Sequence, residues 1–150
     1  MIKPYYIHNG IPSLTDSEIY RLWELLEEHK RPMVRDFASG TEFVEQMKRW
    51  KVSILGDYEG MVYLTQANPA SAEFHFQGFC HGERAVELGK MFAAQALKIF
   101  ETLYGYVSVA NLKACAYSEA IGGTLVGTVP GKGWSEAEKT HDVNLYYWRR

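Results

Sequence analysis

The chain of 150 residues is 47% hydrophobic and 14% aromatic, which suits one domain with a real core over residues 1–150 and argues against disorder. Its formal net charge is −2 with both signs interspersed, so nucleic acid is not an expected partner, and no apolar run approaches the ~20 residues of a membrane span. Cys80 and Cys115 lie far apart outside any Cys-x-x-Cys motif, so we expect no disulfide framework, no metal site and a cytoplasmic protein.

The first half of the chain predicts two helices between strands. The elements, in order, are an edge strand at 2–8, a helix after Thr15–Glu18, a shorter helix after Ser39–Glu42, and a hairpin of strands 52–58 and 60–66. Pro4 argues for an edge position because proline cannot donate to a central ladder. The two four-residue segments match the capping box, in which a hydroxyl and a glutamate satisfy free N–H groups at a helix start.

The middle of the chain predicts a strand–helix–strand–helix–strand unit with short connections. Its elements are a strand at 71–79, a long helix at 84–103, a strand at 106–110, a second helix from Asn111 to Ile121, and a strand from Thr124. Two successive strand-to-helix turns place two helix N-termini at one edge of the sheet. Free N–H groups and the helix dipole make such an edge suitable for a phosphate.

The last residues predict a glycine-containing loop at 129–138 and a final strand at 141–148. Gly131-Lys-Gly133 is interpreted as a hairpin loop, since a nucleotide loop needs a strand-to-helix context. The whole order predicts an α/β fold with a mixed sheet: about seven mostly antiparallel strands, a central parallel pair and four helices.

One segment resembles a known superfamily. Asn111-Leu-Lys-Ala114, followed by Glu119 and Gly122, is similar to the N-x-x-A-…-Y-E-x-x-G-F segment of the GNAT acetyltransferases, and the element order also resembles theirs. The tail from Asp142 to Arg150 is similar to the last strand of phage and prophage members. The resemblance implies an N-acetyltransferase that takes acetyl-CoA as cosubstrate and a small-molecule or protein amine as acceptor, with a homodimer compatible.

The resemblance also implies where CoA binds. The cofactor-binding candidates share the turn and helix that follow strand 71–79, or the start of the next helix: Phe79, Cys80, Glu83, Arg84, Ala85, Gly89 and Asn111. The pyrophosphate loop of the family reads Q/R-x-x-G-x-G/A. Arg84 and Gly89 fit this pattern, whereas Glu87 replaces the first glycine with bulk and negative charge. The alternatives are an arginine paired with Glu83 or Glu87, and an asparagine that only caps its helix.

A polar row points to the acceptor site. Glu73, His75 and Gln77 alternate on one face of strand 71–79, although a covered central strand is normally almost wholly apolar. Three polar side chains need either a wet cleft or partners. Because the equivalent strand of the family lines the acceptor site, the resemblance implies Glu73 or His75 as the catalytic base. A polar face near an edge, or under a helix with polar residues, is the alternative.

The position of the family's general acid is the second place where this chain departs from the family pattern. A tyrosine is expected seven residues after Asn111, where this chain has Ser118, with Tyr117 one residue short. Both residues are candidates, but a serine hydroxyl is too weak an acid, and Tyr117 is about 100° away around the helix, which favours core packing. Cys80 and His81 point opposite ways on an extended chain, so they form no thiolate–imidazole pair. Two functions stay open: a slow acetyltransferase, and a non-catalytic GNAT-like protein of phage origin that binds CoA or a partner.

Overall fold

The computed structural model describes residues 2–5 and 7–150. The strands are β1 (Ile2–Pro4), β2 (Ile7–His8), β3 (Ile11–Pro12), β4 (Ser53–Leu55), β5 (Gly60–Thr65), β6 (Ser71–Gly78), β7 (Thr102–Ser108), β8 (Thr124–Ser135) and β9 (Lys139–Arg149). The helices are α1 (Asp16–Glu28), α2 (Gly40–Arg49), α3 (Gly82–Ala96) and α4 (Leu112–Ala120), with a 3₁₀ turn at Pro32–Asp36.

Seven of the described strands form one mixed sheet in the order β1-β4-β5-β6-β7-β9-β8, and β2 pairs with β3 in a separate small sheet. Within the described residues, the parallel pair is β6 with β7, and the other neighbours are antiparallel. The predicted mixed sheet with a central parallel pair and four helices is confirmed. So is the edge position of β1. The prediction of one strand over 2–8 was wrong, because β1 ends at Pro4 and Ile7–His8 belong to the separate small sheet; Tyr6 lies outside the described residues.

The predicted helix starts are set by local capping. The Thr15 hydroxyl accepts a hydrogen bond from the Glu18 N–H at 3.1 Å, and the Glu18 carboxylate accepts one from the Thr15 N–H, so the capping box of α1 is complete. At α2, the Ser39 hydroxyl accepts from the Glu42 N–H, whereas the Glu42 carboxylate reaches one residue further back, to Ala38. Each cap satisfies N–H groups that a helix start leaves without partners.

Two apolar layers cover the two faces of the sheet. Neighbouring residues of β4, Ile54 and Leu55, belong to different core clusters, as strand alternation requires. The first cluster packs α1 and α2 on β4 and β5, and the second packs α3 on β6, β7 and β9. No helix in the described residues is long and apolar enough to cross a bilayer.

The long predicted helix was wrong at its C-terminal end. Helix α3 ends at Ala96, and the next strand begins at Thr102, so the predicted helix 84–103 and strand 106–110 have shifted boundaries. Phe100 and Leu103 keep helical spacing, but Phe100 packs on the second cluster from the loop after α3, and Leu103 does so from β7. Pairing of residues 102–108 with β6 and β9 overrides the local helical pattern.

The predicted loop at 129–138 was also wrong. Strand β8 runs on to Ser135, and the turn of the β8–β9 hairpin occupies residues 136–138. The register is irregular between Val129 and Gly133, where Gly131 has a φ of +62°. The glycines therefore mark a bulge within a strand and not the end of one.

Candidate functional site

The parallel pair at the centre of the sheet is short and then opens. Strands β6 and β7 pair at three positions, of which the last joins Glu73 to Tyr104. Within the described residues, no further pairing links the two strands, although β6 continues to Gly78 and β7 to Ser108. This splay holds a cavity of about 450 Å³ that is walled by β6, β7, α4 and the β8–β9 hairpin.

The predicted polar row lies in the cavity wall on β6. The Nε2 atom of His75 is 3.3 Å from a Glu73 carboxylate oxygen and 3.1 Å from the Thr65 hydroxyl. The imidazole also stacks on Tyr63, with ring centroids 4.9 Å apart, and Tyr63 stacks on Trp50. The side chains of His75 and Glu73 remain 32% and 18% exposed. Glu73 and His75 are thus paired with each other and still open to the cavity, and Gln77 also lines it. A wet cleft and internal partners, which the sequence left as alternatives, occur together here.

Helix α4 forms another wall of the cavity. The Asn111 carboxamide oxygen accepts a hydrogen bond from the Ala114 N–H at 3.1 Å, so the asparagine caps the helix while it lines the cavity. The Ser118 side chain is almost fully buried against the cavity, and its hydroxyl donates to the Ala114 carbonyl at 2.9 Å. This hydroxyl is held by its own helix.

Tyr117 faces helix α3 as well as the cavity. Its hydroxyl donates to the Ala85 carbonyl at 2.7 Å, and its ring stacks on Phe76 at 4.9 Å. Burial raises the pKa of the Tyr117 phenol, and the nearby Cys80 adds to the shift. A Cβ placed on Gly89 would lie 2.3 Å from the phenol oxygen, so the glycine makes room for the tyrosine. Tyr117 therefore links two helices, which agrees with the packing expected for it.

The start of α3 brings the other cofactor candidates together. Gly82 has a φ of +66°, and the N-cap residue His81 gives the helix no side-chain hydrogen bond. Glu83 is exposed in the first turn, and Ala85 is buried. Phe79 packs at the edge of the first core cluster. This helix start thus offers backbone N–H groups without a side-chain cap.

Arg84 is bound by two carboxylates. Its Nε and Nη2 atoms donate to the two oxygens of Glu59 at 2.8 and 2.9 Å, and its Nη1 lies 3.2 Å from Glu87. The hydrogen bonds from Arg84 lower the pKa of the Glu59 carboxyl to about 2. The predicted alternative pairing with Glu87 is confirmed, whereas the bidentate partner Glu59 was missed, because it lies on the loop before β5.

The two cysteines are half-buried and free. Burial raises the pKa of the Cys80 thiol, with a smaller contribution from the Glu59 charge, so the thiol is held in its protonated form. Cys115 donates a weak hydrogen bond to the Ser108 carbonyl. In the described part of the chain, no group of three or more histidine, cysteine or acidic residues is arranged to hold a metal ion.

The β8–β9 hairpin supplies a wall that the sequence did not reveal. Its cavity-lining residues are Lys132, Gly133, Trp134, Ser135, Glu138, His141, Val143 and Trp148. Glu138 accepts a hydrogen bond from the Ser108 hydroxyl at 2.9 Å, which ties the hairpin to the end of β7. Because residues 129–138 were interpreted as a loop, no face could be assigned to them. The only available signal was the alternation that continues beyond the bulge.

Neither a protein-family model nor a curated protein matches this chain. Among solved structures, a dodecameric spermidine N-acetyltransferase from Vibrio cholerae matches with a TM-score of 0.71 at 17% identity, over 99% of this chain and 92% of that one. RimL, a ribosomal L7/L12 α-N-protein acetyltransferase in complex with coenzyme A, matches with a TM-score of 0.73 at 15% identity, over 91% and 90%.

An acetyltransferase from Salmonella typhimurium, which modifies the N-terminal serine of ribosomal protein L7/L12, gives the same TM-score of 0.73 at 15% identity, over 91% of each chain. These identities are low, so the likeness concerns the fold. The neighbours are N-acetyltransferases, and their fold matches the mixed sheet in which β6 and β7 are the parallel pair of the described residues. The chain has the fold of the GNAT N-acetyltransferases.

Proposed function

We propose that this protein is an N-acetyltransferase that transfers an acetyl group from acetyl-CoA to a primary amine. The observation that carries the proposal is the splay between β6 and β7, because it joins an open cavity to a carboxylate–imidazole pair on one wall. The GNAT fold supports the reaction class. The low identity of the solved neighbours leaves the acceptor to be found by experiment.

The CoA side of the proposed site rests on backbone groups. The start of α3 fits a phosphate for two reasons. The space beside Gly82 is open, because a Cβ built there would meet no neighbouring atom within 4 Å, and no described side chain caps the free N–H groups of the helix. Residues 79–85 would hold the pyrophosphate through N–H groups, and Asn111 would lie beside the acyl arm, whereas Gly89 is covered by Tyr117 and would serve only the packing of this helix. Arg84 would add a positive charge, reduced by its bonds to Glu59 and Glu87. Acetyl-CoA supplies an acyl group activated as a thioester.

The acceptor side rests on the polar row. Glu73, with His75 beside it at 3.3 Å, takes a proton from the acceptor ammonium and leaves a neutral amine. The amine nitrogen bonds to the acyl carbon as the carbon–sulfur bond breaks, and the nitrogen then loses its excess proton to solvent to give the amide. The electron pair leaves with the thiolate, which then takes a proton from solvent. Tyr63 stacks on the His75 ring and fixes its plane, and His75 in turn holds the carboxylate of Glu73, the proposed base.

The missing acid makes transfer slow. Thiolates with a pKa near 8.5 leave without strong assistance, and a general acid typically contributes roughly 10²–10⁴-fold. The Ser118 hydroxyl donates to Ala114, and the Tyr117 hydroxyl donates to Ala85, so neither is directed at a leaving group. We therefore propose a rate below that of enzymes that keep the tyrosine.

A second candidate function is a GNAT-like protein, of phage origin, that binds CoA or a protein partner without catalysis. The ion pairs of Arg84 with Glu59 and Glu87 favour it, because they reduce the charge available to a pyrophosphate. The serine at position 118 favours it as well. Its distinguishing property would be CoA binding without acetyl transfer.

The assembly and setting of the protein are also proposals. We propose that residues 1–150 work as one GNAT domain in the cytoplasm and form a homodimer. The neighbour from Vibrio cholerae is described as dodecameric, so a protein with this fold can self-associate, which supports the proposed homodimer. The solved neighbours act on spermidine and on a ribosomal protein, so small and protein amines are both reasonable acceptors to screen.

The test combines binding with turnover. Millimolar acetyl-CoA should raise the melting temperature, because a ligand that binds the native state stabilises it by mass action. Release of CoA, followed against pooled amines, should depend on the amine and fall strongly in Glu73→Gln. Glu24→Gln makes the same charge change at an exposed position of α1 and should behave as wild type.

The outcomes separate the two functions. A rise in melting temperature without release of CoA for any amine would replace the enzyme with the binding protein. Neither a rise in melting temperature nor release of CoA would overturn the enzyme and the binding of CoA by the second candidate.

A further inference from the structure

A second carboxylate–imidazole pair lies in the cavity, away from the polar row on β6. Glu138 and His141 belong to the β8–β9 hairpin, and their closest side-chain atoms, Oε2 and Nε2, are 3.5 Å apart. The other carboxylate oxygen of Glu138 accepts a hydrogen bond from Ser108 at 2.9 Å. The pair is therefore fixed to the end of β7, at the mouth of the splay.

The hydrogen bonds of this pair leave two acceptor atoms facing each other, the Glu138 Oε2 and the His141 Nε2. The Nδ1 atom of His141 lies 2.8 Å from the Lys139 carbonyl, which can only accept, so Nδ1 carries the proton of the neutral ring. The Nε2 atom is then an acceptor that faces another acceptor, the Glu138 carboxylate. A group with at least two N–H donors and a positive charge would satisfy both atoms.

The backbone of the hairpin is shaped to present the imidazole. At the bulge before Gly133, the Gly131 N–H donates to the Asp142 carboxylate at 2.8 Å. A Cβ on Gly133 would lie 2.2 Å from the His141 Nε2, so only a glycine lets the ring lie across the strand. Bulges beside functional sites often redirect a side chain in this way.

The same wall already accommodates ammonium groups. The Lys132 ammonium lies 5.2 Å from the centre of the Tyr106 ring, and the Lys139 ammonium lies 5.5 Å from that of Trp134. Both rings line the cavity, and the Trp134 residue is 64% exposed; Lys132 also lines the cavity, whereas Lys139 lies outside it. Aromatic faces and a carboxylate together form the kind of surface that binds amine cations.

We propose that Glu138 and His141 form an ammonium subsite, so that the preferred acceptor carries a second amine in addition to the one that is acetylated. This inference rests on the proposed function: the reacting amine lies at Glu73 and His75, and the second ammonium donates to Glu138 and to the Nε2 of His141. A primary ammonium has three donors, which is enough for both acceptors.

The experiment compares diamines with alkylamines of the same length. Initial rates are measured with acetyl-CoA and a series from 1,3-diaminopropane to 1,8-diaminooctane, each beside the matching n-alkylamine. The variant is Glu138→Gln, because the glutamine amide can still accept from Ser108 and can itself donate to His141. For the best diamine we expect KM to rise roughly tenfold or more with kcat unchanged, as for a lost charged hydrogen bond. The alkylamine constants should not change.

A matched control lies on the same hairpin. Glu136 pairs with Lys139 at 2.8 Å and does not line the cavity, so Glu136→Gln should leave both amines unaffected. A second measurement titrates the diamine and the alkylamine into the protein calorimetrically without acetyl-CoA. Tighter binding of the diamine, lost in Glu138→Gln, supports the subsite even if no transfer occurs, in which case only the proposed function fails.

The subsite is overturned if wild type does not prefer the diamine at any chain length, in KM or in binding. It is also overturned if Glu138→Gln keeps the preference. Transfer to alkylamines would then leave the proposed function intact.

Discussion

The hydroxyl of Tyr117 donates to the carbonyl of Ala85 at 2.7 Å, and this bond ties helix α4 to the first turn of α3. The two helices follow neighbouring strands, and the bond joins the second half of α4 to the N-terminal turn of α3. A phenol that is used in this way, with its pKa raised by burial, is poorly suited to donate a proton to a leaving thiolate.

Tyr117→Phe tests this structural role. The variant loses one hydrogen bond and keeps the ring that stacks on Phe76, so the free energy of unfolding should fall by about 1 kcal/mol. Acetyl transfer should change less than about twofold, well below the contribution of a general acid. Urea denaturation and rate measurements on the same preparation check both values. Abolished transfer in a stable variant would give the phenol a chemical role.

Gly89→Ala should be destabilising although alanine favours helices. The added Cβ would lie 2.3 Å from the Tyr117 hydroxyl and 2.7 Å from Ile121, and such overpacking costs about 1–3 kcal/mol. In a Tyr117→Phe background the nearest contact is absent, so the loss should be smaller. Chemical denaturation of the two single variants and the double variant gives the coupling energy. Equal losses in both backgrounds would show that the tyrosine does not set the requirement for glycine.

Ser118→Tyr should raise the rate of acetyl transfer. The position lines the cavity, and a phenol there would supply the acid that the serine lacks, with a gain of about tenfold or more. Ser118→Ala removes the bond to Ala114 without adding a phenol and should show no gain. Steady-state rates at saturating acetyl-CoA decide the matter. A folded tyrosine variant that is no faster than the alanine variant would mean that CoA does not lie beside this position.

The polar row should matter more for activity than for stability. Glu73→Gln should cost less than about 1 kcal/mol, because the pair it forms with His75 is partly exposed. His75→Ala also loses the stack on Tyr63 and should cost about 1 kcal/mol. Denaturation curves and rates for both variants test the difference. Losses of several kcal/mol in both would indicate a closed core pair and not a wall of an open site.

The Arg84–Glu59 pair predicts that the free energy of unfolding decreases in acid. The pKa of Glu59 in the folded protein, about 2, lies below its ordinary value of 4.5, so its stabilisation is present above pH 4.5 and is lost as the pH falls towards 2. Unfolding free energies at a series of pH values should fall more steeply in wild type than in Glu59→Gln. Arg84→Gln removes the partner and should flatten the profile equally. Parallel profiles in all three proteins would contradict the pair.

The order of the elements was predictable because its signals are local. Thr15 and Glu18 cap a helix three residues apart, and the alternation of Glu73 and His75 marks a face of a strand without knowledge of its neighbours. The boundary near residue 100 was not predictable in this way. Leu103 is apolar at helical spacing, and only the pairing of β7 with β6 and β9 makes it part of a strand.

The partners of the site residues were the least predictable feature. Glu59 and Arg84 are bonded although they lie 25 residues apart in the sequence, and Ser108 and Glu138 although they lie 30 apart. Such contacts depend on the register between strands and on the position of the hairpin, which no local pattern encodes. The sequence could therefore identify the polar row, but it could not identify the second pair on the opposite element.

The splay also bears on the tendency of this chain to aggregate at high concentration. A strand edge with free N–H and C=O groups is a template on which another chain can assemble, and the splay adds such edges at the centre of the sheet. Natural sheets discourage that assembly with charged and polar side chains beside the edge. Glu73, His75 and Gln77 occupy that position here. We therefore expect the polar row on β6 to discourage such assembly in addition to its proposed part in binding the acceptor.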